Sequence, residues 1–142
     1  MPSFEVSLPD LRASGPLIQV FIGPSREFIA AFGALSIASP VSVSALIDTG
    51  AASTVITPET ARLLQLRTVG IIRVHTPTTV EPVLCRQFYV NVNFTNAFAI
   101  QDVLAIEAPL TGQPIQCLIG RDVLSRGVLT YSGVDNLFRL TF

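Results

Sequence analysis

The sequence predicts a mostly-β fold, and three features lead to that expectation. The apolar residues fall in many short runs, which are separated by 10 prolines and 9 glycines. The runs are rich in Val, Ile, Leu, Phe and Thr, and β-branched and aromatic residues favour strands. The length of 142 residues fits one compact domain. We expect a single domain over residues 1–142, with residues 1–15 as an N-terminal extension and 23–40 as an extended excursion or hairpin.

Individual segments can be assigned from composition and periodicity. Strands are expected at residues 17–22, 42–47, 68–75, 83–94, 103–107, 116–119, 128–132 and 136–142, the last two joined as a hairpin. A helix begins after Thr57, which suits the N-cap, with Pro58 at the first helical position. A second helix is expected at 121–126, with Gly127 as its C-cap.

The charge content limits the partners of this protein. Charged residues make up only 13% of the chain and the net charge is −1, with no basic run, so a nucleic-acid partner is not expected. So low a charged fraction predicts an apolar surface or one that a partner covers. Residues 28–47 are uncharged and long enough to span a membrane. Gly33, Pro40 and the alternation at 41–47 favour a loop that leads into a buried strand instead.

The cysteines, the single histidine and the N-terminus bear on metal binding, disulfide formation and the cellular compartment. Cys85 and Cys117 lack metal-type spacing and are expected to be buried free thiols, although a disulfide between them stays open. With His75 as the single histidine, a metal site is not expected. The N-terminus lacks the basic and apolar regions of a signal peptide, which leaves the compartment unknown with a leaning to the cytoplasm.

The segment SALIDTGAASTVI at residues 44–56 contains the candidate functional carboxylate. An apolar strand delivers Asp48 at its end, where a carboxylate is held in a fixed position. Thr49 offers a hydroxyl to neighbouring backbone, and Gly50 lets the chain turn and a substrate approach. An Asp-Thr-Gly tripeptide alone also makes an ordinary turn. The apolar strand before it is what makes the segment informative.

A second segment, CLIGRDVL at residues 117–124, places an apolar strand before a glycine and a short helix. Together with ALIDTGAASTVI and the C-terminal hairpin GVLTYSGVDNLFRLTF, it resembles the retropepsin family of aspartic proteases and its cellular and bacterial relatives. The resemblance covers roughly residues 15–142. It implies a closed antiparallel β-barrel of the acid-protease type, with one or two short helices and two-fold dimerisation.

The resemblance also assigns roles to individual residues. Asp48 corresponds to the catalytic aspartate, Thr49 to the threonine that locks two active-site loops together, and Gly50, followed by Ala51, to the loop beside the substrate backbone. Further positions implied for substrate binding or for the flap are Ala52, Ser53, Thr76, Pro77, Thr78, Thr79 and Ile119. Positions implied beneath the site are Leu118, Gly120 and Arg121, and the C-terminal hairpin is expected to add to the dimer interface.

The chain holds a single Asp-Thr-Gly, whereas this chemistry needs two facing carboxylates that share a proton. A homodimer supplies both, because a two-fold axis brings Asp48 against its own copy. The expected function is an aspartic endopeptidase that hydrolyses a polypeptide through an activated water, without cofactor. The alternative is a weakly active or inactive dimerisation or peptide-binding module. A processed piece of a longer polyprotein is a third reading.

Two departures from the family pattern bear on the site. Retroviral members usually carry an aspartate at the position of Ala52, which pairs with the arginine that Arg121 matches. Arg121 is therefore expected to bond backbone carbonyls or another acid such as Glu59. Residues 75–82, in the flap region, contain no glycine and two prolines, which predicts a stiffer or differently shaped flap. Asp122 is expected as an acid in the first turn of a helix.

Overall fold

The computed structural model describes residues 1–26, 39–75, 81–95 and 97–142. Strands dominate this part of the chain, and three short helices accompany them. The strands are β1 (Ser3–Ser7), β2 (Leu17–Pro24), β3 (Val41–Ile47), β4 (Val55–Ile56), β5 (Gly70–Val74), β6 (Val83–Thr95), β7 (Phe98–Glu107), β8 (Cys117–Ile119), β9 (Val128–Ser132) and β10 (Leu137–Thr141). The helices are α1 (Leu11–Ser14), α2 (Pro58–Leu63) and α3 (Arg121–Leu124).

Six strands close into a barrel in the order β2-β3-β8-β4-β7-β6, because β2 also pairs with β6. Closure leaves these strands without a free edge. Most of the pairs are antiparallel, but β3 with β8 and β4 with β7 are parallel. The predicted closed, mostly antiparallel barrel is confirmed. β5 lies outside the ring, and among the described strands it pairs only with the first part of β6.

A separate three-stranded sheet, in the order β1-β10-β9, joins the two ends of the chain. The ring of Phe4 in β1 stacks on Phe94 with centroids 5.3 Å apart, and Phe98 and Phe142 complete an aromatic cluster. Leu11 in α1 is fully buried in the core. Residues 1–15, expected as an extension, thus form a strand and a helix that pack on the barrel.

The positions expected for the elements are close to those observed, with informative exceptions. The sequence did not indicate β1, α1 or the two-residue β4, and the strand expected at 103–107 begins five residues earlier, at Phe98. The helix expected over 121–126 is wrong at its end, because α3 stops at Leu124 with Ser125 as its C-cap. Gly127 instead allows close packing of backbone, since a Cβ there would lie 2.4 Å from the carbonyl oxygen of Thr141. The excursion expected at 23–40 mostly falls outside the described residues.

Other sequence expectations concern single side chains and the membrane. α2 begins as expected, with the Thr57 side chain accepting from the backbone N–H of Thr60 and with Pro58 in the first turn. Cys85 and Cys117 are buried free thiols, as favoured. His75 is exposed. Within the described ranges no helix is long and apolar enough to cross a bilayer, and residues 41–47 form strand β3 as expected.

Candidate active site

Asp48 follows directly after β3, where the strand leaves the barrel wall. Its backbone N–H donates to the carbonyl oxygen of Ile119 at 2.9 Å, which extends the β3–β8 pairing by one residue. Its side chain is half-buried, and Oδ1 accepts from the N–H of Gly50 at 2.9 Å. Oδ2 has no hydrogen-bond partner among the described residues. One carboxylate oxygen is therefore held in place while the other remains available.

The loop that follows Asp48 is fastened to the start of α3. The N–H groups of Arg121 and Asp122 donate to the carbonyls of Ala51 and Ala52 at 2.8 and 3.2 Å. Gly120 makes this contact close, because a Cβ there would lie 2.7 Å from backbone atoms of Ser53. The loop is thus held by backbone bonds to a second segment of the barrel floor.

Arg121 reaches back over the same loop. Its Nη1 donates to the carbonyl oxygen of Thr49 at 2.7 Å. The expectation that Arg121 would bond a backbone carbonyl is confirmed, and the alternative partner Glu59 pairs with Arg62. Thr49 itself is exposed, and its hydroxyl makes no hydrogen bond within the described part of the chain.

Thr54 and Asp122 close the far end of the loop. The carboxylate of Asp122 accepts from the backbone N–H of Thr54 at 3.0 Å and from its hydroxyl at 2.8 Å. The same hydroxyl accepts from the N–H of Gly120 at 3.2 Å. Asp122 also accepts from the N–H of Val123, which agrees with the acid expected in the first helical turn. The bond to the fully buried Thr54 was not foreseen.

Aliphatic side chains form an apolar surface next to Asp48. Leu118 in β8 lies in register with Leu46 in β3 and with Val55 in β4, so all three project from one face of the sheet. All three are half-buried, whereas Ile119 on the opposite face is fully buried. The substrate contact implied for Ile119 is therefore corrected, because strand alternation sends its side chain into the core. Leu118, assigned beneath the site, is the side chain that reaches this surface.

Below this surface, burial controls the chemistry of Cys117. Desolvation, with a smaller effect of the nearby Asp122 carboxylate, raises the pKa of the Cys117 thiol to about 12. The thiol therefore stays protonated and unreactive at neutral pH. Burial also raises the pKa of Cys85, and the charge of Glu107 adds to that effect. These properties favour packing roles for both cysteines.

β5 and β6 pair up to Val74 and Val83, which flank the region where the flap is predicted. Thr76, Pro77, Thr78 and Thr79, the flap positions implied by the resemblance, lie outside the described residues. In the described ranges, no cluster of three or more His, Cys, Asp or Glu side chains could hold a metal ion.

Comparison with known proteins identifies the family of this chain. A family model described as aspartyl protease matches residues 35–123, which is more than half of the chain. The chain belongs to this family of aspartyl proteases. The match includes both Asp48 and the segment up to Val123, and the retropepsin-like resemblance predicted from those motifs is confirmed. No curated protein matches the sequence.

Two solved structures are similar to this aspartyl protease family member, and the first of them shares its fold. It is similar to a retropepsin-like aspartic protease from Rickettsia conorii, with 15% identity, a TM-score of 0.58 and coverage of 99% of this chain and 93% of that one. The retroviral protease-like domain of Ddi1 from Leishmania major is 17% identical, with a TM-score of 0.43 and coverage of 82% of both chains. At such identities the first likeness shows a shared fold.

The structure brings most of the predicted site residues together. Asp48 lies at the end of β3, and the loop residues Thr49, Gly50, Ala51, Ala52 and Ser53 lie against Gly120 and Arg121. Sequence reasoning missed Val55, Thr54, the full role of Asp122 and the place of Leu46 on this shared surface. Alternation along β3 could have indicated Leu46, but the register that aligns it with Leu118 and Val55 depends on pairing between distant segments.

Proposed function

We propose that this protein is an aspartic endopeptidase whose active site forms between two identical chains, each supplying one Asp48. The main support for the proposal is the position and the hydrogen bonding of the Asp48 carboxylate. It stands at a strand end in a loop fixed by α3, with Oδ1 held by Gly50 and Oδ2 without a partner in the described chain. A rigid carboxylate with a free oxygen is suited to act on a water molecule.

The exposed position of Thr49 supports the dimer. The Thr49 hydroxyl, which bonds no described residue and lies next to the proposed catalytic residue, is suited to bond the equivalent loop of a second chain. A two-fold axis near this point would bring the two Asp48 side chains face to face. The low charge content of the chain agrees with an extensive subunit interface.

The chemistry follows from two carboxylates that share a proton, since two like charges so close resist full ionisation. The ionised Asp48 would take a proton from a water molecule, which attacks the peptide carbonyl carbon. The protonated Asp48 would donate a hydrogen bond to the carbonyl oxygen, and a proton then passes to the departing amine. The surface of Leu46, Val55 and Leu118 would receive an apolar side chain of an extended peptide.

Peptide cleavage tests the proposal against the alternative of an inactive binding module. Purified protein is incubated with a peptide library at pH ~4 to ~7, a range that brackets carboxylate catalysis. Asp48→Asn should abolish cleavage, while Asp102→Asn, a change at another exposed aspartate, should retain it. The proposal fails if wild type cleaves no peptide or if Asp48→Asn cleaves as well. A protein that stays monomeric in sedimentation at high concentration would refute the shared site.

A further inference from the structure

Arg121 is held over the loop that carries Asp48. Its backbone N–H donates to Ala51, and its Nη1 donates to the carbonyl oxygen of Thr49, the residue that follows Asp48. The second bond is short, at 2.7 Å, and comes from a charged donor. A long side chain fixed in this way has lost part of its rotational freedom before any ligand arrives, which lowers the entropic cost of binding.

The charge of Arg121 lacks an acidic partner in the described part of the chain. Arg62, Arg86 and Arg139 each pair with a glutamate, but no carboxylate there lies within ion-pair distance of Arg121. A guanidinium offers five N–H donors in a planar fork, and the bond to Thr49 uses one of them. No other described residue occupies the remaining donors of this exposed residue, so the fork can receive a planar anion such as a carboxylate.

Ala52 adds no charge to the loop that Arg121 contacts. The N–H of Asp122 donates to the carbonyl of Ala52 at 3.2 Å, which sets Ala52 alongside the start of α3. Its side chain is a single methyl group, and the residue is exposed. A longer acidic side chain at this position could have neutralised Arg121 from within the loop. Alanine supplies no carboxylate to the loop, and both Ala52 and Arg121 are exposed.

We propose that Arg121 and Ala52 form a subsite that binds a carboxylate of the peptide substrate, so that the protein favours Asp or Glu at a position flanking the cleaved bond. This inference rests on the proposed function, because it concerns the peptide bound at Asp48. The peptide supplies the acid that the loop lacks, and Arg121 acts as a specificity-determining residue. Bidentate hydrogen bonds between the guanidinium and the carboxylate would set the direction in which the peptide binds and would increase its affinity.

The size of the effect follows from the exposure of Arg121. Exposed ion pairs are weak, and charged hydrogen bonds from a pre-positioned donor are stronger, so a Glu peptide should be cleaved about three- to tenfold faster than its Gln counterpart. The preference should decline with added salt. It should also disappear as pH falls through about 4, where the substrate carboxyl becomes protonated.

The experiment compares paired peptides that differ only by Glu or Gln, with the substitution scanned along the peptide. The readout is the ratio of kcat/KM for each pair, in which the protein's own pH dependence cancels. Wild type should show the preference at one position, Arg121→Gln should bring the ratio to about one, and Arg121→Glu should favour Lys over Gln there, by charge reversal. Arg126→Gln, at an exposed arginine just beyond α3, is the matched control and should keep the wild-type ratio.

Several outcomes would overturn the inference while leaving the protease proposal intact. Cleavage with a Glu/Gln ratio near one at every position, or an unchanged ratio in Arg121→Gln, would do so. A weaker dimer in Arg121→Gln without any change in the ratio would place Arg121 at the subunit interface instead. If no peptide is cleaved, the protease proposal fails and peptide binding tests the subsite alone. Equal affinity for Glu and Gln peptides then refutes the subsite, and a Glu preference that Arg121→Gln removes supports it.

Discussion

Replacing Asp122 by alanine should destabilise the protein and disturb the Asp48 loop, although Asp122 itself lies beyond that loop. Its carboxylate receives three hydrogen bonds, from the N–H and hydroxyl of Thr54 and from the N–H of Val123. Thr54 is fully buried, so truncation would leave two of its donors without a partner. Thr54 would then no longer fix the end of the loop that begins at Asp48.

The magnitude can be worked from those contacts. Each buried donor left unsatisfied costs about 1–3 kcal/mol, which gives about 2–6 kcal/mol for the two donors of Thr54. Asp122 is half-buried, so water can enter the vacated space and the lower part of that range applies, about 3 kcal/mol. Asp122→Asn keeps the shape and one acceptor, and should cost about 1 kcal/mol.

Urea denaturation at one fixed protein concentration measures the free energy of unfolding, since a dimer's stability depends on concentration. Asp135→Ala, at an exposed aspartate in the β9–β10 turn, should change stability by less than about 0.5 kcal/mol. Asp122→Ala should also lower kcat/KM, because the loop loses its fixed end, and Asp122→Asn should lower it less. An Asp122→Ala protein as stable as the Asp135→Ala control would refute the reasoning.

Three further changes probe other parts of the fold. Gly120→Ala would force a Cβ to 2.7 Å from the backbone of Ser53. It should lower the free energy of unfolding, measured with heat or urea, by about 1–3 kcal/mol, and should also lower the activity. The thiol of Cys117, whose pKa is about 12, should resist alkylation in the native state near pH ~8. Because folding raises that pKa, the free energy of unfolding should fall as pH rises from 9.0 towards about 12. Cys117→Ser should make this fall with pH smaller. Phe4→Ala removes the stacking on Phe94 at 5.3 Å and should cost about 2 kcal/mol, with faster hydrogen exchange in β1.

Local signals made much of the fold predictable from sequence. Thr57 and Pro58 define a helix start within a few residues, and the apolar strand before Asp48 is continuous in the chain. β9 and β10 are neighbours in sequence, so their hairpin could be expected from turn residues between two apolar runs.

Long-range pairing explains what sequence reasoning could not supply. Thr54 and Asp122 lie 68 residues apart, and only the insertion of β8 between β3 and β4 brings them together. β1 is only five residues long, and its partner β10 lies at the other end of the chain. The burial of Ile119 and the half-exposure of Leu118 depend on which face of β8 meets the core. Motifs locate the chemistry, whereas register decides which neighbouring side chains can reach a substrate.

Subunit mixing is the most direct test of the claim that each chain holds half of a site. Wild type is mixed with increasing amounts of Asp48→Asn under conditions that allow subunit exchange, and cleavage is measured at constant total protein. Activity should follow the square of the wild-type fraction, so that an equal mixture retains about one quarter of the activity of pure wild type. Mixing wild type with Asp102→Asn instead of Asp48→Asn should cause no loss of activity. Activity that falls only in proportion to the wild-type fraction would show that one Asp48 suffices, and would contradict the shared dyad.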